Sequence, residues 1–481
     1  MGTEPPTLDP NLATDSVSHR ILTNTQAGLT RFDTKTLRAV PCIAEKWWYS
    51  DDGRTVTFKI RDDALWSDGK PITSFDFLYS WKRLLDPKTG AEYSYFLYDI
   101  EDAMEFNSGK KDYFSGVTTS DEKTLIVRLK RPIVYLPMLV TFMVTYPVRQ
   151  DIIEKYQNEW TEPKHYVSSG PFILKEWIHD YKVVLEPNPV WFGTKPKLKR
   201  VEFYVVGEPS TSLNLYRFGF FHTVGLFSLA IQKYKGTEEF IQTPGLRGFY
   251  VAFNIKKKPF DNVHLRRALA HSVDRTSIVK ALGNVDIPAT SWIPPGMLAH
   301  NPNIGLEFDP EKAKSELQKV KLDKQQKLKL YFNQSPENTK ISEVLKESWR
   351  KILNLDVEIE SMEWKMFLST LNSDPPPLFR LGWGADFPDP SNFMDLFTSS
   401  SGNNYTAFAS EEYDEIIEKA SEERNEQKRI ELYNMAQKIL LEKEVAIIPL
   451  FWSTTNALKK KNLVLELNPL DIIYLDETYF K

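Results

Sequence analysis

Apolar residues along this chain change period repeatedly, from two residues to about 3.6 and back. Residues 55–61 alternate, with Val56, Phe58 and Ile60 on one face, after the turn signal Ser50-Asp51-Asp52-Gly53. Trp66-Ser67-Asp68-Gly69-Lys70-Pro71 is a second turn. A helix then opens at Thr73, with Asp76 three residues on as a capping box, and runs through Phe77, Tyr79, Trp81, Leu84 and Leu85. Strands are expected at 123–129, around Ser169-Gly170-Pro171, at 183–186 and 201–206, and at 247–254 with Phe249, Val251 and Phe253 on one face. Asp261 is read as the cap of a helix through Leu265, Leu269 and Val273, and Asp309-Pro310 opens another. Beyond these come a strand at 327–332, a helix at 341–353, a strand at 357–359, a short helix at 364–371, two amphipathic helices within 411–442 and a strand at 446–452. No repeat or low-complexity segment interrupts the alternation, which makes the class α/β.

A chain of 481 residues is too long for one ordinary core, so two or three domains are expected. The 61 basic and 65 acidic side chains are interspersed, which argues against nucleic acid as a main partner. No apolar run approaches the ~18 residues of a membrane span. The most apolar stretch, 133–148, has Pro132, Pro137 and Pro147 within it or at its edges; it reads as packed strand or loop. The single cysteine, Cys42, lies in an apolar context and reads as a buried structural residue. No export signal follows Met1, which leads directly into Gly2-Thr3-Glu4-Pro5-Pro6; the protein is either cytosolic or its export segment has been removed.

Nucleophile, metalloprotease, P-loop and dinucleotide motifs are absent from the sequence. His264 and His271 lie seven apart on one expected helix and read as ordinary helical histidines rather than ligands of a metal. Asp386 and Asp389 form a carboxylate pair, weak evidence for glycosidase chemistry among so many acids. Lys256-Lys257-Lys258 and Lys459-Lys460-Lys461 read as solvated turns, and Asn404-Tyr405-Thr406 as a chance sequon. One stretch is more suggestive. Gly382-Trp383-Gly384-Ala385-Asp386 joins open backbone, a flat aromatic and one acid, a combination suited to a short ligand with a positive end.

An ordered series runs through Ala44-Glu45-Lys46-Trp47, Asp52-Gly53, Thr57-Phe58-Lys59-Ile60-Arg61, Trp66-Ser67-Asp68-Gly69-Lys70-Pro71-Ile72-Thr73 and Asp76-Phe77-Leu78-Tyr79-Ser80-Trp81. It closely resembles the signature of the extracellular solute-binding proteins of the oligopeptide/dipeptide ABC-transporter family. Glu4-Pro5-Pro6-Thr7-Leu8-Asp9-Pro10, Ser169-Gly170-Pro171-Phe172, Phe253-Asn254, Lys258-Pro259-Phe260-Asp261-Asn262 and Arg266-Arg267-Ala268-Leu269 resemble further family elements, and 382–386 resembles its ligand loop.

The resemblance implies a bilobal periplasmic-binding-protein clamshell of the class II, cluster C type with an extra domain. Residues 1–26, 156–246 and 461–481 would form a discontinuous domain I, 27–155 the extra domain II, and 247–460 domain III. Family members begin one strand earlier, so a processed N-terminus is the expected reason for the missing export signal, with an open sheet edge left in domain I. Hinges are expected near 245–248 and 457–461. The implied setting is the periplasm or a lipid-anchored position at the cell envelope.

By the same resemblance, Asp386 pairs with the ligand's α-ammonium. The backbones of Gly382, Trp383 and Gly384, and of Thr14, Asp15 and Ser16, flank the ligand as strands. Trp383, Trp364 and Tyr93 line its pocket. Arg380 matches an arginine near the ligand that is neutralised by a glutamate at the place of Thr14; with that glutamate absent, Arg380 is freer to grip a ligand carboxylate. Leu371 and Asn338 stand where some members carry basic groups, which leaves the ligand's length and tail open.

The expected function is a monomeric solute-binding protein that captures short peptides and delivers them to the membrane permease of an ABC importer, with no enzymatic step and no cofactor. A modified peptide (cell-wall peptide or glutathione), a nickel chelate or an oligosaccharide on the same fold is the nearest alternative. A hydrolase using paired carboxylates is the remote one.

Overall fold

The computed structural model describes residues 1–283, 285–322 and 327–481. The chain divides into two compact units, the first comprising Met1–Leu226, Gly236–Ile241 and Ala457–Lys481, the second Phe227–Lys235 and Gln242–Asn456. Among the described residues, no helix is long and apolar enough to cross a membrane.

In the first unit, strands Ala44–Tyr49, Thr55–Ile60, Thr124–Arg128 and Val117–Asp121 form a four-stranded antiparallel sheet in that spatial order. The expected alternation places Val56, Phe58 and Ile60 in the core, with Phe58 opposite Leu125 and Val56 opposite Val127. Helix Ser74–Leu85 starts at the capping box foreseen for Thr73 and Asp76, and buries Phe77, Trp81, Leu84 and Leu85. A three-stranded antiparallel sheet follows, from Phe172–Ile178, Lys182–Pro187 and Val201–Tyr204.

The 133–148 stretch forms no strand. It is buried as two short helical turns, Leu136–Leu139 and Met143–Thr145. Pro137 lies in the first turn of Leu136–Leu139, where its missing N–H costs no hydrogen bond.

In the second unit, Ile447–Lys459, Phe240–Phe253, Leu378–Gly384, Leu328–Asn333 and Val357–Met362 lie side by side, with Ile287–Pro288 on the outer edge of Ile447–Lys459. Leu328–Asn333 runs parallel to both of its neighbours, and helix Pro336–Leu353 makes the crossover to Val357–Met362. Val251 and Phe253 enter the main core with Leu330, Ile341, Leu345, Trp349 and Leu450, and Phe249 packs against it. Strands Phe240–Phe253 and Ile447–Lys459 each continue from one unit into the other.

Two helix starts differ from expectation. Asn262, not Asp261, caps Val263–His271, its side chain accepting from the His264 amide. The helix expected at 341–353 begins five residues earlier, where Ser335 caps it and Pro336 occupies the first turn.

Cys42 is buried, and burial pushes its thiol up to about 11, which suits packing rather than nucleophilic chemistry. His264 meets Glu316 at 2.6 Å and His271 meets the Glu307 carbonyl at 2.8 Å, so each has its own partner. Among the described residues, no group of three or more His, Cys, Asp or Glu could hold a metal ion.

Candidate ligand-binding site

Strand Leu378–Gly384 pairs antiparallel with Phe240–Phe253, so Arg380 faces Val251, Gly382 faces Phe249 and Gly384 faces Arg247. Side chains on a strand alternate faces, so Arg380, Gly382 and Gly384 share one. Phe249 fills the space over Gly382: a Cβ there would lie 2.5 Å from its ring. The Arg380 guanidinium lies over that same ring, 4.6 Å from the centroid.

Arg380 is only 5% exposed, and among the described residues no ion pair or hydrogen bond to its side chain is made. Burial draws its pKa down to about 10, partly opposed by Tyr250, so the group stays charged near neutral pH. A buried cation without a counter-ion is costly unless something else supplies the charge.

Trp383 is half-buried on the opposite face, its indole N–H donating to Asn392 Oδ1 at 3.1 Å. The chain leaves the strand through Ala385, whose amide donates to the Leu246 carbonyl at 2.8 Å, and reaches the half-exposed Asp386. Asp389, three residues on, is in a different situation. It is fully buried and takes two hydrogen bonds from Arg429, at 2.6 and 2.7 Å. Burial alone would raise its carboxyl, but the Arg429 charge and hydrogen bonds outweigh this and hold it below the usual carboxylate range. Asp386 and Asp389 therefore do not form a catalytic pair.

Trp364 opens helix Trp364–Ser373 and is 46% exposed. Leu371, on the same helix, is buried. Asn338 is also buried, and its amide donates to Asn333 O and Oδ1 at 2.8 and 3.0 Å, so it belongs to the start of its helix.

In the first unit, the expected strand at Thr14, Asp15 and Ser16 is not formed. Asp15 is the N-cap of helix Ser16–Thr25, its carboxylate accepting from the Val17 and Ser18 amides at 2.9 Å. The cap wins because an acid at the N-terminus satisfies otherwise orphan N–H groups and meets the positive end of the helix dipole. Thr14 just before it is exposed. Tyr93 lies in an aromatic cluster with Phe96 and Phe142, at 5.3 and 5.5 Å, and Phe142 touches His19 of the Ser16–Thr25 helix at 5.3 Å. Burial, with repulsion from Arg20, lowers His19 to about 4, so its ring is neutral near pH 7.

The description of the bacterial extracellular solute-binding proteins, family 5, matches residues 38–405. The chain belongs to that family. The oligopeptide-binding protein OppA of Bacillus subtilis is 34% identical over 503 aligned residues, covering 100% of this chain and 91% of that protein. The dipeptide-binding protein DppE of the same organism is 32% identical, covering 93% of this chain and 85% of its own length. Among solved structures, the unliganded open form of the periplasmic murein tripeptide-binding protein MppA superimposes with a TM-score of 0.90 at 30% identity, over 100% of this chain and 96% of that one. The mixed α/β fold is thus that of the three-domain, cluster C periplasmic binding proteins. Members of family 5 bind solutes and are not enzymes, which removes the hydrolase alternative.

One strand and the residues just after it bring Arg380, Gly382, Trp383, Gly384 and Asp386 together. Phe249, which shapes the Gly382 surface and carries Arg380, escapes sequence reasoning because it reads only as a core residue. The contact between His19 and Phe142 escapes it too. His19 lies one turn past the Asp15 cap, the only local hint of its place.

Proposed function

We propose that this chain captures short peptides outside the cytoplasm and hands them to the membrane permease of an ABC importer. The support comes from one strand. Glycines at 382 and 384 leave one face of it without side chains, it leads into the half-exposed Asp386, and it bears on Arg380 a buried guanidinium with no ion pair among the described residues. A free peptide has the matching features: an ammonium for Asp386, a carboxylate for Arg380 and main-chain groups for an open strand. Main-chain recognition gives affinity without dependence on ligand side chains, which suits a nutrient importer. Two relatives named for oligopeptide and dipeptide binding, and the Haemophilus influenzae OppA structure in complex with the peptide RPPGFSPFR, favour the same ligand class.

Ligand-contact roles for Trp383, Trp364 and Tyr93, and for Thr14, Asp15 and Ser16, belong to the same proposal. So does the division into 1–26 with 156–246 and 461–481, 27–155, and 247–460, and a monomeric protein held in the periplasm or at the cell envelope. A ligand with an additional carboxylate, such as a cell-wall peptide, is the second reading; the unpaired Arg380 favours it. Native mass spectrometry of ligand retained through purification tests both. Peptides of a few residues support the proposal, an excess of acidic or modified peptides selects the second reading, and a retained sugar or metal chelate would sink both.

A further inference from the structure

Helix Pro209–Arg217 ends in an aromatic fingertip. Phe218 and Phe220 flank Gly219 and are 79% and 72% exposed, the highest values of any large apolar side chains among the described residues. The turn is well built. Gly219 takes φ +85°, the left-handed conformation that closes a helix, its amide donates to the Tyr216 carbonyl, and the Phe220 amide donates to the Leu215 carbonyl. Two phenylalanines held in water by a stable turn are not a packing accident, because the same backbone would form with polar residues there.

The surroundings are basic. Arg217 is exposed, and among the described residues no carboxylate pairs with it. The Lys460 ammonium lies 4.1 Å above the Tyr216 ring and donates to its carbonyl, and the Lys460 amide donates to the His222 carbonyl. Lys459 pairs in register with Thr223 and donates its ammonium to the Leu463 carbonyl. Phe480, 43% exposed, packs edge-on against His222 at 5.1 Å and extends the aromatic surface. Glu238 is already engaged by Lys461 at 2.7 Å. The Lys459-Lys460-Lys461 run therefore backs an aromatic tip instead of forming an ordinary solvated turn.

We propose that this face docks on an anionic lipid surface, with Phe218 and Phe220 inserted among the headgroups, the exposed Arg217 on the phosphates, and Lys459 and Lys460, each already donating to a backbone carbonyl, adding longer-range attraction. A convex apolar tip backed by cations matches the layered chemistry of a membrane interface, apolar inside and anionic outside. It does not match a protein pocket, which would need a concave partner and leave the cations behind the tip without function. Such docking keeps the protein near the permease by a contact separate from its peptide site.

The test is co-sedimentation of the full chain with phosphatidylcholine vesicles, with and without phosphatidylglycerol. Binding should require phosphatidylglycerol, be released by high salt, and fall several-fold in a Phe218→Ser, Phe220→Ser double variant whose melting temperature is unchanged. Arg217→Gln, outside the turn's hydrogen bonds to Tyr216 and Leu215, should also weaken binding and decides the matter if the double variant fails to fold. Absence of binding to the anionic vesicles, or equal binding by the variants, overturns the proposal. So does sedimentation velocity showing a dimer that the double variant dissolves, since the face would then join two copies of the chain.

Discussion

Arg429 grips Asp389 through two hydrogen bonds of 2.6 and 2.7 Å, and both side chains are almost completely buried. The pair ties helix Glu426–Lys438 to the segment just beyond residues 382–386, and Arg429 also donates to the Ala420 carbonyl and the Tyr433 hydroxyl. Breaking such a pair leaves one buried charge alone. Arg429→Ala should therefore cost about 3–5 kcal/mol of stability, measured by denaturant unfolding. A loss within about 0.5 kcal/mol would place the pair among ordinary surface contacts.

The same pair sets an acid limit. The Asp389 carboxyl is held below its ordinary value, so the folded state favours the ionised form. Its contribution is present above the unfolded carboxyl pKa of about 3.9 and is lost as pH falls through the lower folded value. Asp389→Asn should flatten the stability profile below about pH 4 while lowering stability near neutrality.

His19 acts at higher pH. Its folded pKa of about 4 lies below the ordinary imidazole value, so protons favour the unfolded chain. Stability should fall as pH drops from about 6.5, the unfolded value, towards the folded one. His19→Gln should remove that slope, and an NMR titration of the His19 ring should find it neutral near pH 6; a midpoint near the ordinary value would contradict the desolvation of this partly buried ring beside Phe142.

Gly382→Ala would place a Cβ 2.5 Å from the Phe249 ring. Phe249 would have to move and disturb its stacking with Arg380 at 4.6 Å. A loss of about 1–3 kcal/mol in stability is expected, together with weaker peptide binding. Unchanged melting and affinity would show that the close approach is unimportant.

Arg380 should show a trade between stability and function. An unpaired buried cation destabilises the free protein, so Arg380→Met should raise stability by about 1 kcal/mol or more while weakening binding of peptides with a free carboxylate. If stability falls and affinity holds, Arg380 serves the fold and not the ligand.

Much of this molecule is legible in its sequence, for physical reasons. The period of two at Val56, Phe58 and Ile60 identifies a strand because one face is buried, and Thr73 with Asp76 marks a helix start by its own hydrogen bonding. Helix Ser16–Thr25 is not legible, because its buried positions include Ser18, Thr23, Asn24 and Thr25, which show no apolar stripe. Their polar groups find distant partners: Asn24 donates to the Ile473 carbonyl, and the Thr25 and Tyr166 hydroxyls share a hydrogen bond. The 382–386 stretch stands out through its composition, but the difference between Asp386 and Asp389 does not, since it depends on Arg429, 40 residues from Asp389. That Arg380 has no ion pair among the described residues is equally invisible, because a sequence shows which charges exist and not which remain unpaired.

The central claim, that Asp386 holds the peptide's ammonium, is tested most directly by calorimetry with a short peptide and its N-acetylated twin. The account predicts that acetylation weakens binding to the unaltered protein tenfold or more, that Asp386→Ala weakens binding of the free peptide to a similar degree, and that the variant no longer distinguishes the two ligands. Equal affinity of the unaltered protein for both peptides would contradict it.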